Sequence, residues 1–294
     1  MNGILVINKD KGYTSHDAVA VIKKLTQEKH LGHTGTLDPN ATGVLPICFG
    51  YCTRLIEYID NVPKEYVAEA KLGIRTDTQD IWGNVIQEQN VAEISENDIL
   101  NIIDHYVGDI NQVPSIYSSV RVNGRHLYSY AHSGETVDIP SREVKVFSID
   151  LLSFDPLEGT FSIKVSCGRG TYIRTIISDI GDELGCGACM TSLVRTSACG
   201  FDIRDSVSLE ELKEMSPEEI ESHIHPAESA VSSMNRVDLD ESQKIDFANG
   251  KHLKAAQNNM SSEAPVCIFY NGELCGIGKW DNPNRIKPEK VFIR

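Results

Sequence analysis

The order of apolar and polar positions along the chain predicts a mixed series of strands and helices. Gly3–Asn8 is an almost continuous apolar run, which is typical of a buried strand. Lys64–Gly73 alternates in period two and predicts a half-buried strand, with one face formed by Tyr66, Ala68, Ala70 and Leu72. Ser15–Leu25 repeats its apolar positions at helical spacing and predicts an amphipathic helix.

Caps and turns predict where further elements begin and end. Thr14 is the expected N-cap of the first helix, with Asp17 three residues later, and further N-caps are predicted at Ser95, Ser208 and Ser216. The other predicted helices are Tyr51–Ile59, one from Ser95 to Tyr106, Leu127–His132 and one that begins within Gly168–Thr175. The other predicted strands are Val44–Phe49, Pro114–Val122, Val266–Tyr270 and the hairpin of Glu143–Phe154 with Thr160–Cys167.

Length and composition limit the class of protein. The chain has 294 residues, of which 40% are apolar and 24% are charged, as in globular rather than disordered proteins. This length favours one large domain with a smaller one. No segment approaches the roughly 20 apolar residues of a membrane span, and the first apolar run is too short for the core of a signal peptide. We therefore expect a cytoplasmic protein.

The net charge of −14 argues against binding of nucleic acid through overall charge, because phosphate affinity comes from Lys and Arg. The charges are unevenly distributed, however. Glutamates crowd the segment Glu210–Glu228, whereas several basic residues lie beside glycine-rich motifs. The sequence is therefore compatible with a local basic face on an acidic protein.

The eight cysteines raise the question of a metal site. Cys186 and Cys189 form a C-x-x-C pair, but a zinc site needs a second ligand pair at suitable spacing, and none is evident. In a reducing compartment we expect buried thiols rather than disulfides. No metal site is predicted.

One stretch, Gly32–Pro46, has the composition of a stiff loop around a single carboxylate. Its glycines permit backbone conformations that other residues resist, and Pro39 restricts the backbone of Asp38. An Asp-Pro-Asn run is equally typical of an ordinary turn, in which the aspartate bonds nearby backbone N–H groups. Local chemistry alone leaves Asp38 as either a turn residue or a reacting group on a rigid loop.

Four motifs, in order along the chain, resemble those of the TruB family of bacterial tRNA pseudouridine-55 synthases. They are G-H-T-G-T-L-D-P with A-T-G-V-L-P (32–46), K-E-Y with L-G-x-x-T-D-T-x-D-x-x-G (64–83), the basic segment 118–128, and G-R-G-T-Y-I-R-T (168–175). Departures from the family pattern fall at Asp10, Arg54, Arg121, Arg125 and Val194, where the family usually has proline, lysine, lysine, lysine and arginine respectively. The resemblance covers nearly the whole chain.

The resemblance implies an α+β pseudouridine synthase fold, with a mixed, mostly antiparallel sheet flanked by helices and a small β-rich C-terminal module. We expect a catalytic domain over residues 1–230 and a small RNA-binding, PUA-like module over residues 236–294. The module is too short to bury a large core alone, so it should dock on the main domain.

The resemblance also implies a reaction, the isomerisation of a uridine in the tRNA T-loop (position 55) to pseudouridine. The N1–C1′ bond breaks, the uracil turns, and C5 joins C1′. Nothing is oxidised and no group is added, so neither a cofactor nor a metal is expected. The expected partner is the T-arm of tRNA. We expect a monomer with no obligate protein partner and no membrane association.

The same resemblance assigns roles to individual residues. Asp38 is the reacting carboxylate, Tyr66 stacks on the target base, and Arg174 holds Asp38 ionised through bidentate pairing. Flipping the base out of its stack costs a few kcal/mol, and stacking on an aromatic ring returns on the order of 1–3 kcal/mol. Further contacts with the substrate are expected from His33, which enters the space left by the base, from Tyr172 and Leu193, which wall the pocket, and from Lys9, Arg121 and Arg125, which face the RNA backbone.

Three other functions remain open at this point. An RNA-binding protein without catalysis would not need Asp38, Tyr66 and Arg174, yet all three are present. A nucleoside hydrolase or glycosidase commonly uses a second carboxylate, and the sequence indicates none near Asp38. A guide-RNA-dependent relative would have larger accessory RNA modules than this short C-terminus. The sequence therefore favours the stand-alone tRNA enzyme.

Overall fold

The computed structural model describes residues 1–91, 94–254 and 264–293, which form two main sheets with helices packed against them. Residues 92–93, 255–263 and 294 lie outside the described residues, and the last two groups belong to the expected C-terminal module. The α-helices of the described chain are Ser15–Thr26 (α1), Ile56–Ile59 (α2), Glu96–Ile103 (α3), Leu127–Ser133 (α4), Ile173–Glu183 (α5), Leu209–Glu214 (α6), Pro217–Ser222 (α7), Ala227–Ala230 (α8) and Glu241–Ala248 (α9). Short 3-10 helices span Gly50–Leu55, Asp104–Tyr106 and Ile203–Asp205.

The strands supply most of the scaffold. The earlier ones are Gly3–Lys9 (β1), Leu31–His33 (β2), Thr42–Phe49 (β3), Lys64–Leu72 (β4), Ile74–Thr76 (β5), Val85–Glu88 (β6), Gly108–Gln112 (β7), Arg121–Val122 (β8) and Arg125–His126 (β9). The later ones are Arg142–Asp155 (β10), Thr160–Cys167 (β11), Ala188–Ala198 (β12), Phe201–Asp202 (β13), Val207–Ser208 (β14), Ile224–His225 (β15), Asn235–Asp238 (β16), Leu253–Lys254 (β17), Pro265–Tyr270 (β18), Glu273–Asn282 (β19) and Arg285–Val291 (β20).

The larger sheet follows the strand order β14-β1-β3-β12-β4-β11-β10-β7. The pairings of β1 with β14 and of β3 with β12 are parallel, and the others along this path are antiparallel. Gly43 makes the contact of β3 with β12 possible, because a Cβ at Gly43 would lie 2.2 Å from the carbonyl oxygen of Arg195. The predicted α+β class with a mixed, mostly antiparallel sheet is confirmed.

The helix starts follow the local signals. Each predicted N-cap accepts a hydrogen bond from the backbone N–H three residues on, and the acidic residue there bonds back to the cap, at Thr14, Ser95, Ser208 and Ser216. On α5, the apolar side formed by Ile173, Ile176, Ile177 and Ile180 is buried against the sheet. The inward face of β4, with Tyr66 and its period-two neighbours, is buried as predicted.

The smaller sheet, β16-β18-β19-β20-β17, belongs to the C-terminal part of the chain. It docks on the large sheet through a shared apolar cluster that contains Ile4 and Val6 of β1 together with Ile277 of β19. The contact is reinforced by the Arg54 guanidinium, which donates to the carbonyl of Val291 at 2.9 Å. The face of β1 that carries Leu5 belongs to the main core, so the module covers the opposite face of the sheet.

Two predicted elements differ from the structure. Pro114–Val122 is not a strand, since only Arg121–Val122 has strand geometry and the strand in this region is the earlier β7, which pairs with β10. Proline has no N–H to give to a sheet, and the Tyr117 carbonyl instead accepts a hydrogen bond from Arg174 at 3.0 Å. The predicted helix Tyr51–Ile59 is a 3-10 helix that continues as the single turn of α2.

All eight cysteines are buried and carry free thiols, as expected. Burial raises the pKa of Cys52 to about 11 and that of Cys267 to about 12, so neither thiol ionises near neutral pH. Among the described helices, none has the length and apolar character needed to cross a membrane.

Candidate active site

A pocket of about 430 Å³ opens between the loop after β2, the strands β4 and β12, and the loop that precedes α5. This volume lies in the range of sites that hold a small molecule or a single nucleoside. Predicted site residues that line it are His33, Asp38, Tyr66, Tyr172, Arg174 and Leu193. The structure therefore brings together residues that are up to 160 positions apart in the sequence.

Asp38 lies on a loop that is braced on several sides. The Ser15 hydroxyl accepts from the Leu37 N–H at 2.9 Å, and the Gly12 N–H donates to the Pro39 carbonyl at 2.9 Å. The Asp38 side chain itself stays 37% exposed at the pocket. A rigid backbone with an accessible carboxylate suits a group that reacts with a substrate rather than one that only closes a turn.

Lys9 is the one predicted RNA contact that the structure places inside the fold. It is completely buried, and its ammonium donates to the carbonyls of Asp10, Tyr13 and Pro39 at 3.0, 2.7 and 3.1 Å. Burial lowers the pKa of Lys9 to about 8. All of its donors are used, so Lys9 braces the Asp38 loop from beneath, and its position does not support the expected contact with RNA.

Arg174 projects from the first turn of α5 toward Asp38 and is 5% exposed. Its Nη1 lies 3.6 Å from Oδ2 of Asp38 and 3.7 Å from Oδ2 of Asp80. The guanidinium is thus shared between two carboxylates, and the bidentate pair expected with Asp38 is not formed.

Asp80 contacts Arg174 although it is not among the site residues predicted from the sequence. Its Oδ1 accepts from the Thr78 hydroxyl at 2.6 Å and from the Trp82 N–H at 3.2 Å, which aims Oδ2 at Arg174. The residue is 8% exposed. Two signals in the sequence point to Asp80. It belongs to the motif L-G-x-x-T-D-T-x-D-x-x-G, and Arg174 needs an acidic partner.

Tyr66 is buried on β4, directly opposite Arg195 of the paired strand β12. Burial raises the pKa of Tyr66, while the adjacent Arg195 guanidinium opposes that rise. Arg195 is completely buried and is fixed by hydrogen bonds from Nε to the Val44 carbonyl at 2.7 Å and from Nη2 to the Gly35 carbonyl at 3.3 Å. It lines the pocket beside Leu193, with which it shares a face of β12, and this period-two relation was visible in the sequence.

A second carboxylate, Asp60, also lines the pocket, contrary to the expectation that Asp38 has no such neighbour. Asp60 is tied to the Lys64 ammonium at 2.7 Å and to Nε of Arg169 at 3.2 Å. Both Asp60 and Lys64 are buried. This pair of cations holds the Asp60 carboxylate, whereas a hydrolase needs its second carboxylate free to activate water or to protonate a leaving group.

His33 and Tyr172 also line the pocket. The Nδ1 atom of His33 is buried with no hydrogen-bond partner among the described residues, and burial with the nearby His16 and Arg195 lowers the pKa of His33. The imidazole is therefore neutral near pH 7. Tyr172 is fixed as the N-cap of α5 by two hydrogen bonds between its backbone and the Gln112 amide, at 3.0 and 3.1 Å.

Arg121 and Arg125 do not line the pocket and lie on the small β8–β9 hairpin. Both are exposed. Arg125 pairs with Glu135 at 3.1 Å and stacks over the Tyr130 ring at 4.3 Å, while Nε of Arg121 donates to His126 at 3.1 Å. Their position on the surface is compatible with a contact to RNA backbone outside the pocket.

Comparison with known families accounts for this arrangement. Residues 23–173 match the model of the TruB family pseudouridylate synthase N-terminal domain, and residues 174–232 match that of the tRNA pseudouridylate synthase B C-terminal domain. The two matches adjoin and together span most of the large sheet.

Individual proteins agree with the family matches. The chain is 40% identical to tRNA pseudouridine synthase B of Listeria welshimeri, over 99% of this chain and 98% of that protein, and 41% identical to the Clostridium tetani protein of the same name, over 95% and 96%.

Solved structures show the same fold. A Cbf5-Nop10-Gar1 complex contains a chain that is 26% identical, with a TM-score of 0.77 over 99% of this chain and 85% of the other. An H/ACA ribonucleoprotein bound to a substrate RNA containing 2′-deoxyuridine gives 25% identity and a TM-score of 0.75 over the same shares. The adjoining domain matches and the full-length relatives show that the chain belongs to the TruB family of pseudouridylate synthases.

Proposed function

We propose that the protein converts uridine 55 in the T-loop of tRNA to pseudouridine, with Asp38 as the reacting carboxylate. The observation that carries the proposal is the placement of Asp38 at a nucleoside-sized pocket beside the buried guanidinium of Arg174. The two relatives named above are tRNA pseudouridine synthases, and this chain matches them over nearly their whole length. We therefore expect tRNA to be its substrate.

The pocket residues have separate roles in the isomerisation. Asp38 reacts with the substrate nucleoside, and the Arg174 guanidinium places a positive charge beside its carboxylate as the flipped base displaces water. Tyr66 and Leu193 form an apolar wall on which the uracil stacks while it turns. The reaction is an internal rearrangement, so it consumes no co-substrate.

His33 and Tyr172 shape the entrance. His33 stands at the end of β2, where its neutral imidazole can enter the space that the flipped base leaves in the T-loop without adding a charge to it. Tyr172 lines the same pocket, at the start of the helix that carries Arg174. This arrangement supports base flipping as the route by which the uridine reaches Asp38.

The remaining contacts with tRNA lie outside the pocket. Arg121 and Arg125 hold backbone phosphates from their exposed hairpin, and residues 236–294 form an RNA-binding module beside the catalytic domain of residues 1–230. Recognition by T-loop shape suits an acidic protein with only local basic patches. The enzyme acts as a monomer that needs no guide RNA.

The test is to incubate the purified protein with an unmodified tRNA transcript and to map pseudouridine by carbodiimide labelling at single-nucleotide resolution. The proposal predicts one modified position, uridine 55, and none in a transcript that carries cytidine there. Modification of another uridine would refute the T-loop assignment. Binding of tRNA without any pseudouridine would instead favour an RNA-binding protein without catalysis.

A further inference from the structure

Trp82 is an exposed tryptophan on a rigid turn beside the active site, with no role in the core. It retains 39% of its surface exposed and does not line the pocket. An exposed aromatic ring offers a face on which a base can stack. The second tryptophan of the chain, Trp280, is by contrast only 5% exposed in the core of the C-terminal module.

The backbone around Trp82 is held firmly. Its own N–H donates to Asp80 at 3.2 Å, the Ile81 N–H donates to the carbonyl of Met190 at 2.8 Å, and the Gly83 N–H donates to the carbonyl of Asp80 at 3.2 Å. Met190 belongs to β12, the strand that pairs with Tyr66. The backbone that carries the indole is therefore pinned to Asp80 and to β12.

A cation lies against one face of this ring. The Lys11 ammonium is 4.8 Å from the centre of the Trp82 ring, within the range of a cation–π contact. Lys11 is itself exposed, and its neighbour Gly12 donates to the carbonyl of Pro39, the residue next to Asp38. The Trp82–Lys11 pair therefore bridges the turn that holds Asp80 and the loop system that holds Asp38.

We infer that the Trp82–Lys11 pair is a docking platform for the RNA strand that flanks the target nucleotide, with a neighbouring base stacked on Trp82 and its phosphate held by Lys11. The inference rests on the proposed tRNA function. The positive charge of Lys11 favours a nucleic-acid strand. A flipped nucleotide in the pocket requires its chain neighbours to lie outside the pocket, and this pair joins the turn of Asp80, which contacts the pocket residue Arg174, to the loop next to Asp38.

The same loop offers a second aromatic–cation pair. Tyr13, two residues after Lys11, has Lys213 at 5.7 Å from its ring centre, and the Lys213 ammonium donates to the Tyr13 hydroxyl at 3.4 Å. Tyr13 also packs against the main core, so this pair fixes the loop between β1 and α1 that carries Lys11.

Fluorescence gives a direct readout, because Trp280→Phe leaves Trp82 as the single tryptophan. Adding Asp38→Asn prevents turnover, so that unmodified tRNA can be titrated at equilibrium. Saturating tRNA is expected to quench Trp82 emission and to protect it from acrylamide. Emission that stays unchanged while a gel shift shows bound tRNA would overturn the inference. A change in Trp82 emission on raising the protein concentration without RNA would also overturn the inference, since a second copy of the protein would then cover Trp82.

Kinetics supply the second arm. Trp82→Ala should raise KM for tRNA roughly 5- to 150-fold, the equivalent of one stacked base, with the loss on KM rather than kcat. Trp82→Phe should recover part of the affinity, and Lys11→Ala should lower the salt dependence of binding by about one counterion. Ile86→Ala, at a 66% exposed position of β6 in the same hairpin, is the control and should match the wild type.

The outcomes separate the two proposals. If the wild type forms pseudouridine and Trp82→Ala has the KM of the wild type, the platform is refuted and the enzyme assignment stands. If tRNA quenches Trp82 but the wild type forms no pseudouridine, the enzyme assignment fails and the platform stands.

Discussion

Replacing Lys9 with methionine tests whether this residue braces the catalytic loop or contacts RNA. The substitution keeps the length of the side chain but removes the ammonium that bonds the carbonyls of Asp10, Tyr13 and Pro39. The Pro39 carbonyl retains its hydrogen bond from the Gly12 N–H, so the other two carbonyls are left without a partner among the described residues. At roughly 1–3 kcal/mol for each unsatisfied acceptor, offset by relief of the buried charge, we expect unfolding to become easier by about 2 kcal/mol.

The consequence for activity follows from the position of the loop. A displacement of the reacting group by about 1 Å can lower a rate roughly 100-fold, so Lys9→Met should lower kcat by between about 10- and 100-fold. Binding of tRNA should keep its affinity and its dependence on salt, because Lys9 has no exposed surface. Single-turnover pseudouridine formation and a tRNA filter-binding series at several salt concentrations measure the two quantities.

Lys24→Met, at an exposed position of α1, is the matched control and should alter neither kcat nor stability. A shallower salt dependence in Lys9→Met, with kcat intact, would refute the bracing role and restore the contact with RNA. Stability gives an independent check, because the pKa of Lys9 falls to about 8 in the folded state from 10.5. Between these pH values the unfolded chain binds more protons, so wild-type stability should rise with pH relative to Lys9→Met.

Three further substitutions test the neighbouring contacts. Asp80→Asn removes one charged partner of Arg174, so it should lower kcat about 10- to 100-fold with little effect on tRNA affinity. A loss of affinity with unchanged kcat would contradict this. Tyr66→Phe keeps the ring and removes the hydroxyl. Burial raises the pKa of Tyr66 above its usual 10, so the ratio of wild-type to variant rates should be constant from pH 7 to 9.5. A ratio that changes as pH rises would show that the phenol ionises. Glu135→Gln should tighten tRNA binding by up to about fivefold in a filter-binding assay by releasing Arg125, and unchanged or weaker binding would argue against a phosphate contact there.

Local signals predicted the elements whose causes are local. The capping boxes at Thr14 and Ser216 fix where two helices start through hydrogen bonds within four residues. The starts of these helices could therefore be predicted from the local sequence alone. The alternation in β4 predicted the burial of Tyr66 for a similar reason, because one face of a strand next to a core must be apolar. The reactive loop was recognised through its motif, since local chemistry could not distinguish Asp38 from a turn residue.

The missed features depend on contacts between distant segments. Arg195 reaches the pocket because β12 pairs with β4 in a register that places it opposite Tyr66, and Asp60 reaches it through its ion pairs with Lys64 and Arg169. The register of β12 against β4 and the Asp60–Arg169 pair join distant segments, whereas the Asp60–Lys64 pair spans only four residues. The buried position of Lys9 also depends on a distant contact, since one of its three carbonyl partners, Pro39, lies 30 residues away.

The most direct test of the whole account compares the wild type with Asp38→Asn on one unmodified tRNA, with pseudouridine mapped at every uridine and affinity measured in parallel. Asparagine has nearly the shape of aspartate but cannot act as a carboxylate, so we expect Asp38→Asn to bind tRNA like the wild type. The account predicts pseudouridine at position 55 with the wild type and none with the variant. Pseudouridine formed at that position by Asp38→Asn would contradict the central role of the carboxylate.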